Sequence, residues 1–303
     1  MGISKITPGI VVHGGAWDIP DDLVEKHLKG VEAACNLGNT LIHNNEPAID
    51  ICQKVIELLE DDPTFDCAVG SFLNDESQVE MDAIIGDDKY NFGAVAGIKN
   101  VAHPIQVARA VRDHTKHVLL VGDGANKLAR EVGIPSVPTE SLLVGRELDR
   151  YHHIHDDLEH FEIKREFGTV WEADKDVDAN KTLDMPSDTV GVIVRDKMGS
   201  LAVGLSTGGT PFKRAGRVGD TPIWGAGAYA VGNSAAASSG YGEDLLRATM
   251  AKSVVDEIRR RPTSAVTAAQ YGVENMSHTV GGLGGVIAFD AEGNVGIAFN
   301  THR

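Results

Sequence analysis

Small and flexible residues crowd five short motifs in the C-terminal third of this 303-residue chain. The motifs are SDTVG (187–191), STGG (206–209), GRVGD (216–220), GAGAYA (225–230) and SSGYGE (238–243). Glycine destabilises a regular element by about 0.5–1 kcal/mol, so such density indicates turns or backbone that approaches a ligand closely. Lys213, Arg214 and Arg217 lie among these motifs, and their charges favour a site for a small anionic group.

Apolar runs bounded by turn residues predict the elements that must position these motifs. Strands are predicted at 10–17, 117–123, 189–196, 200–207 and within 284–300. Helical periodicity covers 22–37, 47–59, 104–112, 125–132, 243–260 and 263–274. The short connections DKMGS and DAEGN indicate antiparallel hairpins, with helices in separate blocks between them. We therefore expect a mixed α/β layered fold rather than a doubly wound parallel sheet.

The order and spacing of these motifs resemble a known family. The run DTVGVIVRDKMGSLAVGLSTGGTPFKRAGRVGDTPIWGAGAYA (188–230) is similar to the segment that begins at the catalytic threonine of plant-type asparaginases and isoaspartyl peptidases, relatives of the glycosylasparaginases. VHGGAW, LEDDPTFDCAVGSFLN, HVLLVGDGANKLA and GLGGVIAFDAEGNVGIAFNT resemble further family blocks. The resemblance implies a four-layer αββα sandwich of the N-terminal nucleophile hydrolase type, one domain over residues 1–303.

The resemblance also implies that a precursor cuts itself between Asp188 and Thr189, giving fragments 1–188 and 189–303 with Thr189 as nucleophile. A threonine hydroxyl is a weak nucleophile, but cleavage frees an α-amine with a reference pKa of about 7.7–8.0, which can act as the local base. Thr207 corresponds to the family's second threonine, which orients the nucleophile. The GTV at Thr169 resembles the cleavage site of some relatives, but its distance from STGG favours Thr189.

Matched motif positions imply the remaining roles. Arg217 corresponds to the arginine that holds a substrate α-carboxylate, and Asp220 to the acid that pairs with the α-ammonium. Ser239 and Gly240 correspond to the donors that stabilise the tetrahedral oxyanion, while Gly240 and Gly242 line the bound substrate. The implied reaction is hydrolysis of L-asparagine and of β-aspartyl peptides through an ester on the nucleophile. No redox or nucleotide cofactor is required.

Three positions depart from the family pattern. Ser239 stands where a threonine is usual, Tyr241 replaces a smaller residue, and Asp66 replaces an asparagine in a loop that holds a structural sodium ion in relatives. If that loop is kept, the candidate ligands are the backbone carbonyls of Leu59, Glu60, Asp62, Phe65, Cys67 and Val69. Hard oxygen ligands suit such a cation.

The segment 149–188 is rich in charge and histidine, and we expect an exposed linker. Its histidines lack regular ligand spacing, so a solvated charged helix or tail is favoured over a metal site; they are His152, His153, His155 and His160.

Composition limits the partners and the compartment. The net charge is −16, which disfavours nucleic acid and anionic membranes. The N-terminal start lacks the apolar stretch of a secretory signal, and the three cysteines, Cys35, Cys52 and Cys67, form no CxxC pair. We therefore expect a cytoplasmic protein with free thiols. The resemblance further implies a dimer of processed heterodimers.

Two other functions stay open. A glycosylasparaginase would use the same nucleophile and head-group residues while accepting a sugar on the amide nitrogen. An unprocessed, non-catalytic protein that only binds aspartyl groups is the alternative from a different class, although such a protein has no need for Thr189 and Thr207.

Overall fold

The computed structural model describes residues 7–156, 188–260 and 263–302. A six-stranded sheet has the order β1-β5-β6-β2-β3-β4, in which only β3 and β4 pair in parallel. Its strands are β1 (Gly9–Gly14), β2 (Met81–Asp87), β3 (Phe92–Ile98), β4 (Leu119–Val121), β5 (Val190–Arg195) and β6 (Leu201–Thr207). The predicted DKMGS hairpin joins β5 to β6, and Asp196 closes its turn by accepting hydrogen bonds from the amides of Met198 and Ser200, both at 2.9 Å.

A second, four-stranded sheet is antiparallel throughout and has the order β10-β9-β8-β7. Its strands are β7 (Ala228–Val231), β8 (Ser234–Gly240), β9 (Gly284–Phe289) and β10 (Val295–Phe299). The predicted DAEGN hairpin joins β9 to β10.

Helices cover the outer face of each sheet. Against the first sheet lie α1 (Asp21–His43), α2 (Ala48–Glu60), α3 (Pro104–His114) and α4 (Gly122–Glu131). Helix α5 (Gly145–Asp156) and a short 3₁₀ helix at Thr139–Leu142 join the same apolar core. Against the second lie α6 (Gly242–Ala248), α7 (Met250–Arg260) and α8 (Ala265–Val280).

Between the two sheets lies a third apolar layer. Ile84, Ile193 and Leu205 of the first sheet meet Ile287 and Phe289 of the second, and all five are almost completely buried. Strands covered on both faces must be apolar on both faces, which is why β5 and β6 read as continuous runs rather than alternating ones. The arrangement of helices, sheet, sheet and helices confirms the predicted αββα sandwich.

Several boundaries differ from the predictions. The helix predicted over 243–260 is divided into α6 and α7, because Thr249 adopts a left-handed conformation with φ of 44°. Strands β2, β3, β7 and β8 were not predicted, since their glycines and alanines weaken the apolar signal.

The exposed linker predicted over 149–188 is too long at both ends. Residues 149–156 complete helix α5, because Leu148 and Tyr151 pack against the core of the first layer. At the other end Asp188 is buried. Residues 157–187, which include His160 and Thr169, lie outside the described residues. Within the described ranges, no helix is long and apolar enough to cross a bilayer.

Replacing Ile84 by alanine should test the inter-sheet layer. Ile84 is fully buried between the sheets, so the cavity should lower the free energy of unfolding by about 2–5 kcal/mol. Denaturant unfolding of Ile84→Ala measures this loss. Met198→Ala is the control, because Met198 is 84% exposed in the β5–β6 turn and should change stability by less than about 0.5 kcal/mol. Equal effects would contradict the layered core.

Candidate active site

Strand pairing brings the two candidate threonines together. Val190 pairs with Gly14 of β1 on one side and with Ser206 of β6 on the other. Thr189 immediately precedes Val190 and Thr207 immediately follows Ser206, so the two lie at the same end of adjacent strands. Both are buried, at 3% and 4% exposure.

Backbone and strand neighbours hold the Thr207 side chain. Its Oγ1 accepts a hydrogen bond of 3.0 Å from the Gly209 amide, and Thr207 lies opposite Asp82 of β2. A hydroxyl that accepts one hydrogen bond keeps its own proton for donation. Thr207 therefore keeps the donor that orienting a neighbouring hydroxyl requires.

Asp188, at the predicted cleavage site, is fixed by two ring nitrogens. The Nε2 of His27 lies 2.9 Å from one carboxylate oxygen, and the indole nitrogen of Trp17 donates to the other. Burial lowers the pKa of His27, but the hydrogen bond and charge of Asp188 outweigh it, and the net shift is upward. The carbonyl carbon that Thr189 would attack thus belongs to a residue held by His27 and Trp17.

His13 is a further residue beside Thr189. It pairs across the β1–β5 ladder with Gly191, where any side chain would collide with the imidazole ring. Burial lowers the pKa of His13 to about 4, although a hydrogen bond with the backbone of Thr189 acts in the opposite direction. His13 is therefore neutral near pH 7. In the sequence His13 stands within VHGGAW, where no motif assigns it a role.

The predicted head-group residues form a second cluster. The guanidinium of Arg217 binds both oxygens of Glu243, while the Oγ of Ser238 donates to Asp220 at 3.2 Å. A methyl group on Gly242 would lie 2.8 Å from Nη2 of Arg217 and 3.2 Å from Oδ1 of Asp220. Glycine at 242 therefore keeps the space between the positive and the negative group open.

Burial changes the protonation of Asp220. It raises the pKa of the carboxyl to about 7, although the positive charge of Arg217 and the hydrogen bond from Ser238 act in the opposite direction. The carboxyl is thus poised to ionise near neutral pH, where a bound ammonium would favour the charged form.

Hydrogen bonds to the segment 75–82 hold the loop that carries Arg217. Carboxylate oxygens of Glu80 and Asp75 accept hydrogen bonds from the amides of Gly216 at 2.8 Å and Ala215 at 2.7 Å. Lys213 turns inward and donates to the carbonyl of Glu80 at 2.6 Å. The sequence grouped Lys213 with Arg217 in one basic cluster. In the structure Lys213 is buried and supports the loop, whereas Arg217 lies beside Asp220.

Asp82 connects the two clusters. It lies opposite Thr207 in the β2–β6 ladder, and the charges of Lys213 and Arg217 act on its fully buried carboxyl. Burial nevertheless raises the pKa of Asp82. No motif in the sequence assigned Asp82 a role, because its place beside both clusters arises from strand pairing across the sheet.

The predicted oxyanion donors end strand β8. Ser239 pairs with Gly285 and Gly240 with Gly284. Ser239 is buried, and its Oγ has no hydrogen-bond partner in the described part of the chain. Gly240 has φ of 142°, and a methyl group there would press on the Gly284 backbone at 2.5 Å. Their proposed role at the oxyanion stays a prediction.

Asp66 also belongs to this region. Its carbonyl accepts a hydrogen bond of 2.8 Å from Gly208, next to Thr207, and its carboxylate lies so close that a side chain at 208 would collide with it. Burial raises the pKa of Asp66 well above its usual range, the charge of Asp188 adds to the shift, and Lys213 offsets only part of it.

The loop expected to hold sodium is folded around its own carbonyls. Leu59 accepts from the Asp62 amide and from the Cys67 thiol, Glu60 accepts from the Val69 amide, and Asp62 accepts from the Phe65 amide. A carbonyl has two lone pairs, so Glu60 and Asp62 each retain one for a cation, whereas Leu59 is already doubly engaged. The donor set thus fits a hard cation in part. Among the described residues, no group of three or more His, Cys, Asp or Glu side chains could hold a metal ion.

Comparison with known proteins then assigns the family. The model of the asparaginase family matches residues 6–303. The chain belongs to this family. It is similar to the isoaspartyl peptidase/L-asparaginase of Danio rerio (34% identity; 97% of this chain and 89% of the relative). Those of Xenopus laevis (35%; 98% and 90%) and Homo sapiens (35%; 95% and 89%) are also similar.

Membership in the asparaginase family agrees with the resemblance carried by the motifs from VHGGAW to the closing hairpin.

The buried carboxyl of Asp220 should give the asparaginase domain a measurable pH dependence. A raised pKa means that stability present below the usual pKa of the carboxyl is lost as pH rises through about 7. Asp220→Asn removes that loss. The variant should therefore gain stability relative to the parent as pH rises from 5 to 8, seen as a growing difference in melting temperature. The gain is at most about 3 kcal/mol, because about two pH units of this window lie below pH 7 and each unit corresponds to about 1.4 kcal/mol.

Both chains in this comparison should carry Thr189→Ala, so that cleavage before residue 189 cannot differ between them. A difference in melting temperature that stays constant from pH 5 to pH 8 would contradict the raised pKa of Asp220.

Proposed function

We propose that this protein is a self-processing threonine-nucleophile amidohydrolase, which converts L-asparagine to L-aspartate and ammonia and cleaves β-aspartyl peptides. The observation that carries the proposal is the convergence of two clusters. Thr189 and Thr207 lie at one end of adjacent strands. Asp82 lies opposite Thr207, and its carboxyl is affected by the charge of Arg217, which in turn acts on Asp220. The names of the three relatives support the same two substrates.

Self-cleavage is the first step of the proposed mechanism. The Oγ of Thr189 attacks the carbonyl carbon of Asp188, and the peptide bond is exchanged for an ester as the amide nitrogen of Thr189 takes up a proton. Water then hydrolyses the ester and leaves Thr189 with a free α-amine. The fixed position of Asp188 between His27 and Trp17 supports this step, because attack within a chain depends on orientation.

The freed amine then serves the catalytic cycle. It takes the proton of Oγ as that oxygen attacks the side-chain carbonyl of the substrate, and it returns the proton to the departing ammonia or amine. Thr207 orients the nucleophile, and donors at Ser239 and Gly240 stabilise the oxyanion. Water finally hydrolyses the β-aspartyl ester on Thr189 and releases L-aspartate.

Substrate recognition falls to the charged pair. Arg217 binds the α-carboxylate, Asp220 binds the α-ammonium, and the carbonyl of Gly242 contacts the same ammonium. A site that presents one positive and one negative group around a glycine is suited to an amino-acid head group. The chemistry needs no redox or nucleotide cofactor.

We also propose a structural sodium ion on the carbonyls of the 59–69 loop, which would fix that loop next to Asp66 and Thr207 without taking part in the reaction. Two processed heterodimers are proposed to associate, as the resemblance implies. No observation in the described residues favours a glycan over ammonia or an amino acid as leaving group, so glycosylasparaginase activity is an outcome of the assays rather than a second proposal.

Denaturing electrophoresis and intact mass measure self-cleavage. Dividing the 32.3 kDa chain before Thr189 in proportion to length gives fragments of about 20 and about 12 kDa. After incubation at neutral pH we expect both fragments from the wild type, with threonine first in the smaller one. Thr189→Ala should stay whole because it lacks the attacking oxygen, whereas Thr189→Ser, which keeps a hydroxyl, should still cleave. A wild-type chain that stays whole and releases no ammonia would favour the non-catalytic binding protein.

Arg217→Ala tests substrate recognition. Loss of a charge-assisted bidentate contact, worth roughly 2–4 kcal/mol, should lower kcat/KM for L-asparagine by about 30- to 1,000-fold. Ammonia release measures the activity, with β-aspartyl dipeptides and a glycosylated asparagine assayed in parallel. Arg214→Ala is the matched control, since Arg214 is the neighbouring cation and lies outside the proposed contact. A variant at 217 with wild-type kcat/KM would contradict the assigned role.

A further inference from the structure

Glu243 makes the strongest side-chain contact at the head-group cluster. Its Oε1 accepts from Nε of Arg217 at 2.9 Å, and its Oε2 accepts from Nη2 at 2.7 Å. Glu243 lies in the first turn of α6, directly after Gly242, so the rigid start of a helix carries its carboxylate. Neither the motifs nor the proposed mechanism assigns this residue a role.

The two hydrogen bonds occupy one edge of the guanidinium. Arginine has five N–H donors, one on Nε and two on each terminal nitrogen. Glu243 uses the edge formed by Nε and Nη2, which leaves the edge formed by Nη1 and the second hydrogen of Nη2. Nη1 makes no hydrogen bond to the residues that the structure describes. A methyl group on Gly219 would lie 3.0 Å from Nη1, so the absence of a side chain there keeps this second edge accessible.

We propose that Glu243 is a positioning residue. It binds the Nε and Nη2 edge of Arg217 and thereby orients the Nη1 edge toward the α-carboxylate of the substrate. This inference rests on the proposed function. Arginine has a long, flexible side chain. A guanidinium that is already held in place loses less conformational entropy when it binds the substrate than a mobile guanidinium does. The contact also keeps the charge of Arg217 paired while the site is empty.

The same contact has a rival interpretation, in which Glu243 occupies the place of the substrate carboxylate and must be displaced. The two accounts predict opposite effects on affinity. A positioning residue improves substrate binding, so removing its charge raises KM. A competing carboxylate weakens substrate binding, so removing its charge lowers KM.

Glu243→Gln separates the accounts, because it keeps the shape of the side chain and removes the charge. We expect KM for L-asparagine to rise at least tenfold while kcat changes less than threefold, and the inhibition constant of the product L-aspartate to rise in parallel. Self-cleavage should proceed as in the wild type, which also shows that the variant folds. Asp244→Asn is the matched control: it removes one charge from the same helical turn, and Asp244 pairs with Arg247 instead, so KM should stay within twofold.

A double variant tests whether Glu243 acts through Arg217. Adding Glu243→Gln to Arg217→Ala should change kcat/KM less than twofold, because the group that Glu243 positions is already gone. If Glu243→Gln does not fold, Glu243→Asp withdraws the carboxylate by one methylene and should give a KM shift in the same direction. Unchanged or lower KM in an active Glu243 variant would overturn this inference alone. A wild type without amidohydrolase activity would instead overturn the proposed function.

Discussion

Strand β5 pairs with β1 on one side and β6 on the other, and this double register sets the positions of the two candidate threonines and of the predicted cleavage site. It places Thr189 next to the end of β6, where Thr207 follows Ser206. It also leads the chain back to Asp188, which is held by His27 of α1 and by Trp17. Strand β5 is buried on both faces, so slipping by one residue would disturb two apolar layers at once.

The candidate active site lowers the stability of the fold because it buries many acidic groups. Asp66, Asp82, Asp188 and Asp220 are all buried, and burial raises the pKa of each of them. The cationic groups that act on them are few, chiefly Lys213, Arg217 and His27. Burying these carboxyl groups destabilises the fold. Apolar packing between helices and sheets, and between the two sheets, must offset that loss of stability. Pairing of Arg217 with Glu243 fits this picture, since it balances one more charge inside the site.

The sequence was most informative where chemistry and packing act together. The apolar runs of β5 and β6 and the hairpin between them were predicted, and the motif order led to the layered fold. Strand β8 was missed because its sequence, SAAASSG, reads as small and polar although every residue in it is buried. The break at Thr249 was missed because a single left-handed residue leaves no periodic signal. Pairing partners at long range, such as Asp82 opposite Thr207 and His27 on Asp188, depend on tertiary structure that spacing along the chain does not encode.

The central claim is that Thr189 carries the substrate acyl group during turnover. Peptide mapping by mass spectrometry, on wild-type enzyme quenched with acid during the first turnovers of L-asparagine, tests it most directly. The account predicts a β-aspartyl ester on the peptide that begins with Thr189 and on no other peptide. An aspartyl adduct on Thr207, Ser239 or any other residue would contradict it.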